Sequence, residues 1–236
     1  LTIAKAGGAA LGAANATQDG TLAKLPSAVI KIVDASGNPV VGQAANILEI
    51  SSDTTVINTD KSGADCAEDD GSSTLYSTGG AGYYNCFITS SPSSVSGGKA
   101  TVTFEILNPN DPTGLTYLTT TQAYTIGGKV AKEVLSLDKT SYSVGDPIIL
   151  TSTATDSAGN PVYDGAASPA TWSASKQVQG LPVAASYYVG GVKTYKTGVY
   201  APSLGGAFTI NATGTDSAAT SIKVDATVED ANATAA

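Results

Sequence analysis

The chain has 236 residues, a formal net charge of -8 and a sequence pI near 4.3. This acidity argues against a nucleic-acid-binding protein, because contacts to phosphates need a basic surface. All 12 basic residues are lysine, and the absence of histidine removes the commonest acid–base catalyst and the commonest neutral metal ligand. No stretch reaches the ~18 consecutive apolar residues of a membrane-spanning helix, so we expect no direct membrane span in this chain.

Strand patterns dominate the chain from residue 28 onwards. In Lys99–Leu107 every second residue is apolar, which is typical of a strand with one solvated face. Turn sequences rich in Gly, Asn, Asp and Pro separate the strand signals, and many short strands with frequent turns predict an all-β fold of β-sandwiches. The other predicted strands are 28–33, 45–50, 83–89, 115–126, 133–137, 148–155, 198–201, 207–213 and 220–228.

A turn motif occurs twice, 122 positions apart, and each copy follows a strand signal. The offset has the length of a domain, which predicts two tandem sandwiches rather than a short-period solenoid. We expect the aspartate of each copy to accept backbone N–H bonds within its turn. The shared residues are Asp34, Gly37, Asn38, Pro39 and Val40 in the first copy and Asp156, Gly159, Asn160, Pro161 and Val162 in the second.

At these residues the chain resembles the bacterial immunoglobulin-like superfamily, the invasin-type repeats of bacterial surface proteins. Segments 98–104, 135–145, 198–202 and 205–212 match the family pattern as well. The resemblance covers residues from about 22 to 229 and implies two tandem immunoglobulin-like β-sandwiches. The composition, rich in Ala, Thr, Ser and Gly and with lysine as its only base, is similar to that of surface-layer proteins.

The predicted organisation has four parts. Residues 1–21 form an N-terminal extended segment, 22–128 the first domain, 129–230 the second domain, and 231–236 an Ala-rich tail that continues into a longer protein. The first residues, Leu1–Ala4, are strand-like and precede a Gly-rich stretch, so strand exchange with a neighbouring copy is one reading and terminal disorder is the other. The insertion at 62–90 is foreign to the family pattern.

The two cysteines of the chain, Cys66 and Cys86, lie in this insertion. We predict a disulfide, because an acidic chain of this kind with no other thiol suits an oxidising compartment. The alternatives are two unrelated buried thiols or a metal pair. The metal pair is the poorer of these, since no histidine or further cysteine is present to complete a zinc site.

An acidic cluster surrounds Cys66 and consists of Asp65, Glu68, Asp69 and Asp70. Carboxylate oxygens are the ligands that Ca²⁺ prefers, and a disulfide would hold them together. The spacing does not follow an EF-hand loop, so a solvated acidic loop is the alternative. We expect no cofactor apart from calcium at this cluster.

For two further motifs, chance occurrence in a chain of this composition is the alternative explanation. Three Asn-Ala-Thr triplets begin at Asn15, Asn211 and Asn232, and each is formally an N-glycosylation acceptor. Asn211 falls within a predicted strand. Ser-x-x-Lys, the spacing of the nucleophile and lysine in penicillin-binding enzymes, occurs three times, but without a helix or the companion motifs. We therefore predict that the protein is not an enzyme.

The leading functional hypothesis is a structural subunit of an extracellular bacterial surface assembly, a surface layer or sheath, whose partners are other copies of itself. The first alternative is an adhesin or carbohydrate-binding module that binds cell-envelope glycans or host-surface ligands through the 62–90 loop and exposed tyrosines. The second is a phage capsid decoration or tail-fibre domain, which would predict no disulfide.

Overall fold

The computed structural model describes residues 2–7, 28–59, 66–68, 80–108 and 110–229. The chain divides into two compact units, the first comprising residues 1–128 with 163–165 and the second 129–162 with 166–236. Within the described residues the regular elements are strands, apart from one 3₁₀ turn at Ala44–Asn46. The predicted tail at 231–236 and most of the predicted N-terminal segment lie outside the described residues.

The strands of each unit follow the alternating patterns of the sequence. Those of the first unit are β1 (Thr2–Gly7), β2 (Ala28–Val33), β3 (Leu48–Ser51), β4 (Ile57–Asn58), β5 (Cys66–Glu68), β6 (Tyr83–Cys86), β7 (Thr89–Ser90), β8 (Lys99–Leu107) and β9 (Tyr117–Thr125). Those of the second unit are β10 (Lys132–Leu137), β11 (Ser141–Tyr142), β12 (Leu150–Thr155), β13 (Trp172–Ala174), β14 (Val192–Tyr195), β15 (Gly206–Thr213) and β16 (Ser221–Val228).

The first unit consists of two antiparallel sheets and a small strand pair. One sheet has the strand order β1-β2-β6-β5, the other has the order β3-β8-β9, and β4 pairs with β7. If β1, β2, β3, β5, β6, β8 and β9 are lettered A to G, the first sheet contains A, B, E and D and the second contains C, F and G. This is the strand division of an immunoglobulin constant-type domain.

The second unit repeats this division, except that none of its described strands corresponds to strand D. Its sheets have the orders β10-β12-β14 and β11-β16-β15-β13. Strands A, B and E correspond to β10, β12 and β14, and strands C, F and G correspond to β13, β15 and β16. The short β11 continues the first strand and pairs in parallel with β16. Both units are therefore immunoglobulin-like β-sandwiches, and the predicted all-β fold class is confirmed.

The core of each unit lies between its two sheets. Along β8 the residues alternate between buried and less buried positions, so one row of side chains faces the opposite sheet. These rows contribute to the main buried apolar cluster of each unit. The first contains Ile30, Ile32, Tyr84, Val102, Phe104 and Ile106, and the second contains Tyr142, Leu150, Phe208, Ile210 and Val228.

Several predicted strands differ from the observed elements by one or two residues at their ends, and the strand predicted at 83–89 is divided into β6 and β7. Two others differ more. The strand predicted at 45–50 begins only at Leu48, because the preceding residues form the 3₁₀ turn, in which the Asn46 amide donates to Gln43 Oε1 at 3.0 Å. The strand predicted at 198–201 is reduced to isolated bridges from Tyr200. One of its partners is Pro147, which has no N–H with which to continue a ladder.

The part of the chain that the structure describes contains no helix of the length and apolarity that crossing a membrane requires.

Candidate functional site

The two copies of the turn motif have the same hydrogen bonds. Asp34 Oδ1 accepts the N–H groups of the residues two and four positions later, at 2.8 and 2.9 Å. Asp156 Oδ1 does the same at 2.9 and 3.0 Å. The side chain of Asn38, followed by its N–H group, holds the pKa of the Asp34 carboxyl below its usual value. The glycines of the motif, Gly37 and Gly159, have φ of 85° and 83°, a conformation that favours glycine.

In the first unit the turn packs on a distant residue, Gly82, which the sequence motif does not include. Its carbonyl accepts the N–H of Ile32 at 2.8 Å. Its φ is +83°, and a Cβ placed on it would lie 2.8 Å from Cβ of Pro39 and 2.9 Å from the carbonyl oxygen of Ile32. The proline of the motif therefore requires a residue without a side chain directly before β6.

The second unit contains the same joint. The carbonyl of Gly191, directly before β14, accepts the N–H of Ala154 at 2.8 Å. A Cβ on Gly191 would lie 2.7 Å from the carbonyl oxygen of Ala154 and 3.0 Å from Cβ of Pro161. The repeated unit is thus a turn together with a glycine before strand E. The available sequence signal was a glycine immediately ahead of an aromatic or β-branched strand.

The disulfide prediction is confirmed in the first unit. Cys66 on β5 and Cys86 on β6 are directly opposite each other, with Cα atoms 3.9 Å apart, and their sulfurs are bonded. Both residues are buried. The bond fastens the edge strand β5 to β6 within one sheet.

A glutamate from the facing sheet lies against this disulfide. Glu49 on β3 is fully buried, and its Oε1 is 2.9 Å from Sγ of Cys66. A disulfide sulfur has no hydrogen to donate, so this contact is a hydrogen bond only when Glu49 carries the proton. Glu49, Cys66 and Cys86 could supply three metal-ligand atoms by position, but sulfurs joined in a disulfide offer no thiolate.

The second unit contains a buried carboxylate of its own. Glu133 on β10 is 7% exposed, and its Oε1 accepts the hydroxyl groups of Tyr188 at 2.6 Å and Thr215 at 3.0 Å. Its Oε2 accepts the N–H of Thr215 at 2.6 Å. Thr215 follows β15 of the facing sheet, so this network connects the two sheets. Burial, and then the bond to Glu133, raise the pKa of the Tyr188 hydroxyl.

Neither glutamate was singled out from the sequence, although a signal was present. Glu49 lies two positions after buried Ile47, and Glu133 lies two positions before buried Leu135. Both glutamates therefore occupy the apolar phase of an alternating strand, where a charged residue needs a hydrogen-bonding partner.

The predicted calcium ligands are mostly beyond the described residues. Glu68 is described, whereas Asp65, Asp69 and Asp70 lie outside. Glu68 is exposed at the end of β5, and its carboxylate accepts the N–H of Gly42. Calcium binding stays a prediction.

The three predicted glycosylation sites have different positions. Asn15 and Asn232 lie outside the described residues. Asn211 is half-buried in β15, opposite Ser173 of β13 and Lys223 of β16. Its neighbours along the strand are buried, so its side chain points away from the core. Glycosylation of these residues also stays a prediction.

Each unit has a surface cleft lined by side-chain amides and a tyrosine. In the first unit the cleft has a volume of about 390 Å³, and Gln43, Asn46 and Tyr117 line it together with Leu48 and Leu107. We call it the amide cleft.

In the second unit the cleft has a volume of about 210 Å³ and is lined by Gln177, Gln179, Tyr200 and Ser203 among others. Among the described residues that line the two clefts, none is charged.

No family model matches the chain, and no curated protein matches it. Among solved structures, domains 4 and 5 of the S-layer protein SbsC are 16% identical with a TM-score of 0.32, and the match covers 97% of each chain. Invasin, a bacterial integrin-binding protein, is 14% identical with a TM-score of 0.33, over 97% of this chain and 39% of its own. The Escherichia coli adhesin FdeC is 16% identical with a TM-score of 0.34, over 97% of this chain and 64% of its own.

This chain thus spans less than two thirds of the length of the invasin and FdeC structures. The identities and TM-scores are those of a distant likeness. The immunoglobulin-like assignment of the fold therefore rests on the strand orders of the two units.

Proposed function

We propose that the chain is a structural subunit of an extracellular bacterial surface assembly of the surface-layer or sheath type, in which copies of the chain associate with one another. The observation that carries this proposal is the buried Cys66–Cys86 disulfide in a tandem of immunoglobulin-like sandwiches whose chain has a net charge of -8. Disulfides persist in oxidising environments outside the cytosol, and they suit a protein that must stay folded there without being refolded.

The interior of each unit supports a mechanical role. In both sandwiches a buried glutamate contributes to fastening: Glu49 contacts the disulfide, and Glu133 binds donors from the facing sheet. Its hydroxyl partner Tyr188 is fully buried too. These polar groups are buried and are therefore closed to an external substrate.

The loops of the described surface supply contact points for association. Leu115 between β8 and β9 is 78% exposed, and Val183 before β14 is 96% exposed. Apolar side chains at loop tips lose unfavourable contact with water when another copy covers them. The proposal therefore places contacts between copies at loop tips.

A second route to association is exchange of the N-terminal segment 1–21 between copies. In this structure β1 pairs with β2 of its own unit by main-chain hydrogen bonds at the edge of the sheet. A β1 strand from a neighbouring copy would make the same main-chain bonds, because strand addition needs only an open edge.

Electron microscopy of the purified chain tests the proposal, with and without Ca²⁺. We expect ordered sheets or filaments. Removal of residues 1–7 separates the two routes, since it abolishes assembly by strand exchange and leaves assembly by loop tips intact. Leu115→Asp with Val183→Asp has the opposite effect, and Thr119→Asp on an exposed face of β9 is the matched control.

Chains that remain monomeric at every concentration tested, with and without Ca²⁺, would contradict the structural role. Monomers that also bind oligosaccharides would favour the adhesin alternative.

A further inference from the structure

We propose that the amide cleft of the first unit, formed by Gln43, Asn46, Leu48, Leu107 and Tyr117, is a binding site for a neutral saccharide. A sugar ring has an apolar face of C–H groups and an edge of hydroxyl groups. The amide cleft has an aromatic and aliphatic wall beside two side-chain amides, and this is the complementary arrangement. The inference is independent of self-assembly, because the cleft lies within one unit.

The amides are arranged with hydrogen-bonding capacity towards a ligand. Asn46 Nδ2 donates to Gln43 Oε1 at 3.0 Å, which holds the two amides together. A side-chain amide has two N–H donors and an acceptor oxygen. The pair therefore still presents the amino group of Gln43 and the carbonyl oxygen of Asn46, a donor and an acceptor that match the dual character of neighbouring sugar hydroxyls.

The backbone that carries these amides is anchored in the core. The N–H of Gln43 donates to the hydroxyl of Tyr84 at 3.3 Å, and this hydroxyl donates to the carbonyl of Val40 at 2.6 Å. Tyr84 is fully buried. A site positioned by a buried side chain loses little conformational entropy when a ligand binds.

The opposite wall consists of side chains at the end of the β8–β9 hairpin. Leu107 and Tyr117 are directly opposite each other on the two strands, and each is 45% exposed. Leu48 lies on the adjacent β3. A half-exposed tyrosine ring has a negative face on which the C–H groups of a sugar ring stack.

Charge and size narrow the ligand class. The described residues of the amide cleft include no charged side chain, and the chain has a net charge of -8, so an anionic sugar would find no counter-charge and would be repelled. The volume of about 390 Å³ lies within the range of roughly 300 to 1,000 Å³ for small-molecule sites. The cleft of the second unit, at about 210 Å³, lies below it and serves as an internal control.

Isothermal titration calorimetry and saturation-transfer NMR with defined oligosaccharides test the proposal on the monomeric fraction of the full chain. The probes are maltohexaose and chitohexaose, which are neutral, and a hyaluronan hexasaccharide, which is anionic. We expect at least one neutral probe to bind with a Kd of about 1 mM or tighter and the anionic probe to bind at least about tenfold more weakly.

Variants assign the binding to the amide cleft. We expect Tyr117→Ala and Gln43→Ala each to weaken binding about tenfold, and Tyr117→Phe to retain it within about twofold because the ring remains. Tyr200→Ala and Gln179→Ala, the matched changes in the second unit, should leave the Kd unchanged. Circular dichroism checks that each variant is folded, which we expect because Tyr117 is partly exposed.

Failure of both neutral probes to bind at about 10 mM would overturn the proposal. Binding that survives Tyr117→Ala, or a hyaluronan affinity equal to that of the neutral probes, would overturn it as well. None of these outcomes depends on whether the chain assembles, so the two proposals fail separately.

Discussion

The two units share a strand order and a turn, yet their sheets are fastened differently. The first unit has a covalent bond between β5 and β6, with Glu49 of the facing sheet against it. The second unit has no cysteine, and Glu133 binds Tyr188 and reaches the facing sheet through Thr215. Alternation and turns therefore recur in both units, whereas the disulfide joins strands within one sheet of the first unit and the Glu133 network joins the two sheets of the second.

The largest expected effect is loss of the Glu133 network. Glu133→Ala removes the acceptor of the Thr215 N–H and leaves the Tyr188 and Thr215 hydroxyls only their second partners, Ser152 and the Ala167 carbonyl. We expect the second unit to lose about 4 kcal/mol of unfolding free energy. The single tryptophan, Trp172, lies in this unit and reports its unfolding in urea by fluorescence.

Glu229→Ala at the exposed end of β16 is the matched control, and we expect it to shift the transition little. A Glu133→Ala transition that coincides with that of the unchanged chain would show that the network does not stabilise the unit.

Removal of the disulfide should destabilise the first unit by slightly less than Glu133→Ala destabilises the second. The bond closes a loop between residues 20 positions apart, and the chain-entropy relation gives about 3 kcal/mol for a loop of this length. We expect the Cys66→Ser, Cys86→Ser variant to unfold its first unit at a lower temperature in calorimetry. The unfolding of the second unit, reported by Trp172, should be unchanged. A reductant should have the same effect on the unchanged chain and none on the variant. An equal shift in both transitions would contradict separate fastening.

Glycine substitutions examine what the units share. Gly82→Ala and Gly191→Ala introduce both a positive φ penalty and a Cβ closer than 3.0 Å to a neighbouring atom, so we expect about 2 to 3 kcal/mol of destabilisation in each unit. Gly37→Ala and Gly159→Ala carry the φ penalty alone, because a Cβ there has no neighbour within 4 Å, and should cost about 1 kcal/mol. Equal losses of unfolding free energy at all four positions, measured in urea, would show that the close contact between glycine and proline does not contribute to stability.

The smallest expected effect is a difference in acid sensitivity between two hairpin loops. Asp111 between β8 and β9 accepts four hydrogen bonds, and Asp216 between β15 and β16 accepts two from Thr220. In each case a threonine side chain is the main cause that lowers the carboxyl pKa below the ordinary value of 3.8.

Because the folded pKa is the lower one, these bonds stabilise above pH 3.8 and their contribution is lost as the pH falls below that value. Urea midpoints at about pH 5 and about pH 2.5 measure the loss. We expect Asp111→Asn to reduce the acid sensitivity of the first unit more than Asp216→Asn reduces that of the second. A larger reduction in acid sensitivity from Asp216→Asn than from Asp111→Asn would contradict this prediction.

Long alternating strands and local turns could be predicted from the sequence, and contacts between distant residues could not. The pattern of β8 gave its observed bounds, Lys99–Leu107, because nine residues suffice to display a two-residue period. Short strands such as β11 and β13 were missed, since two or three residues carry no period. The disulfide could be predicted because an acidic chain with no other thiol suits an oxidising compartment, and two cysteines leave no choice of pairing.

How well each candidate site could be predicted from the sequence depended on how far apart its residues lie along the chain. The turn aspartates bind N–H groups within four positions, so local sequence described them. The amide cleft joins Gln43 to Tyr117, which are brought together only by the pairing of β3, β8 and β9. Glu49 and Glu133 lay in the apolar phase of their strands, a signal that becomes informative only when the facing sheet is known.

The joint between the turn proline and the glycine before strand E has a consequence for protein engineering. Pro39 and Gly82 are 43 positions apart, whereas Pro161 and Gly191 are 30 apart, yet the two contacts are alike. The joint therefore fixes the ends of an intervening stretch and leaves its length open. In the second unit this stretch is a natural place for grafting a foreign peptide, because the first unit already accommodates thirteen more residues there.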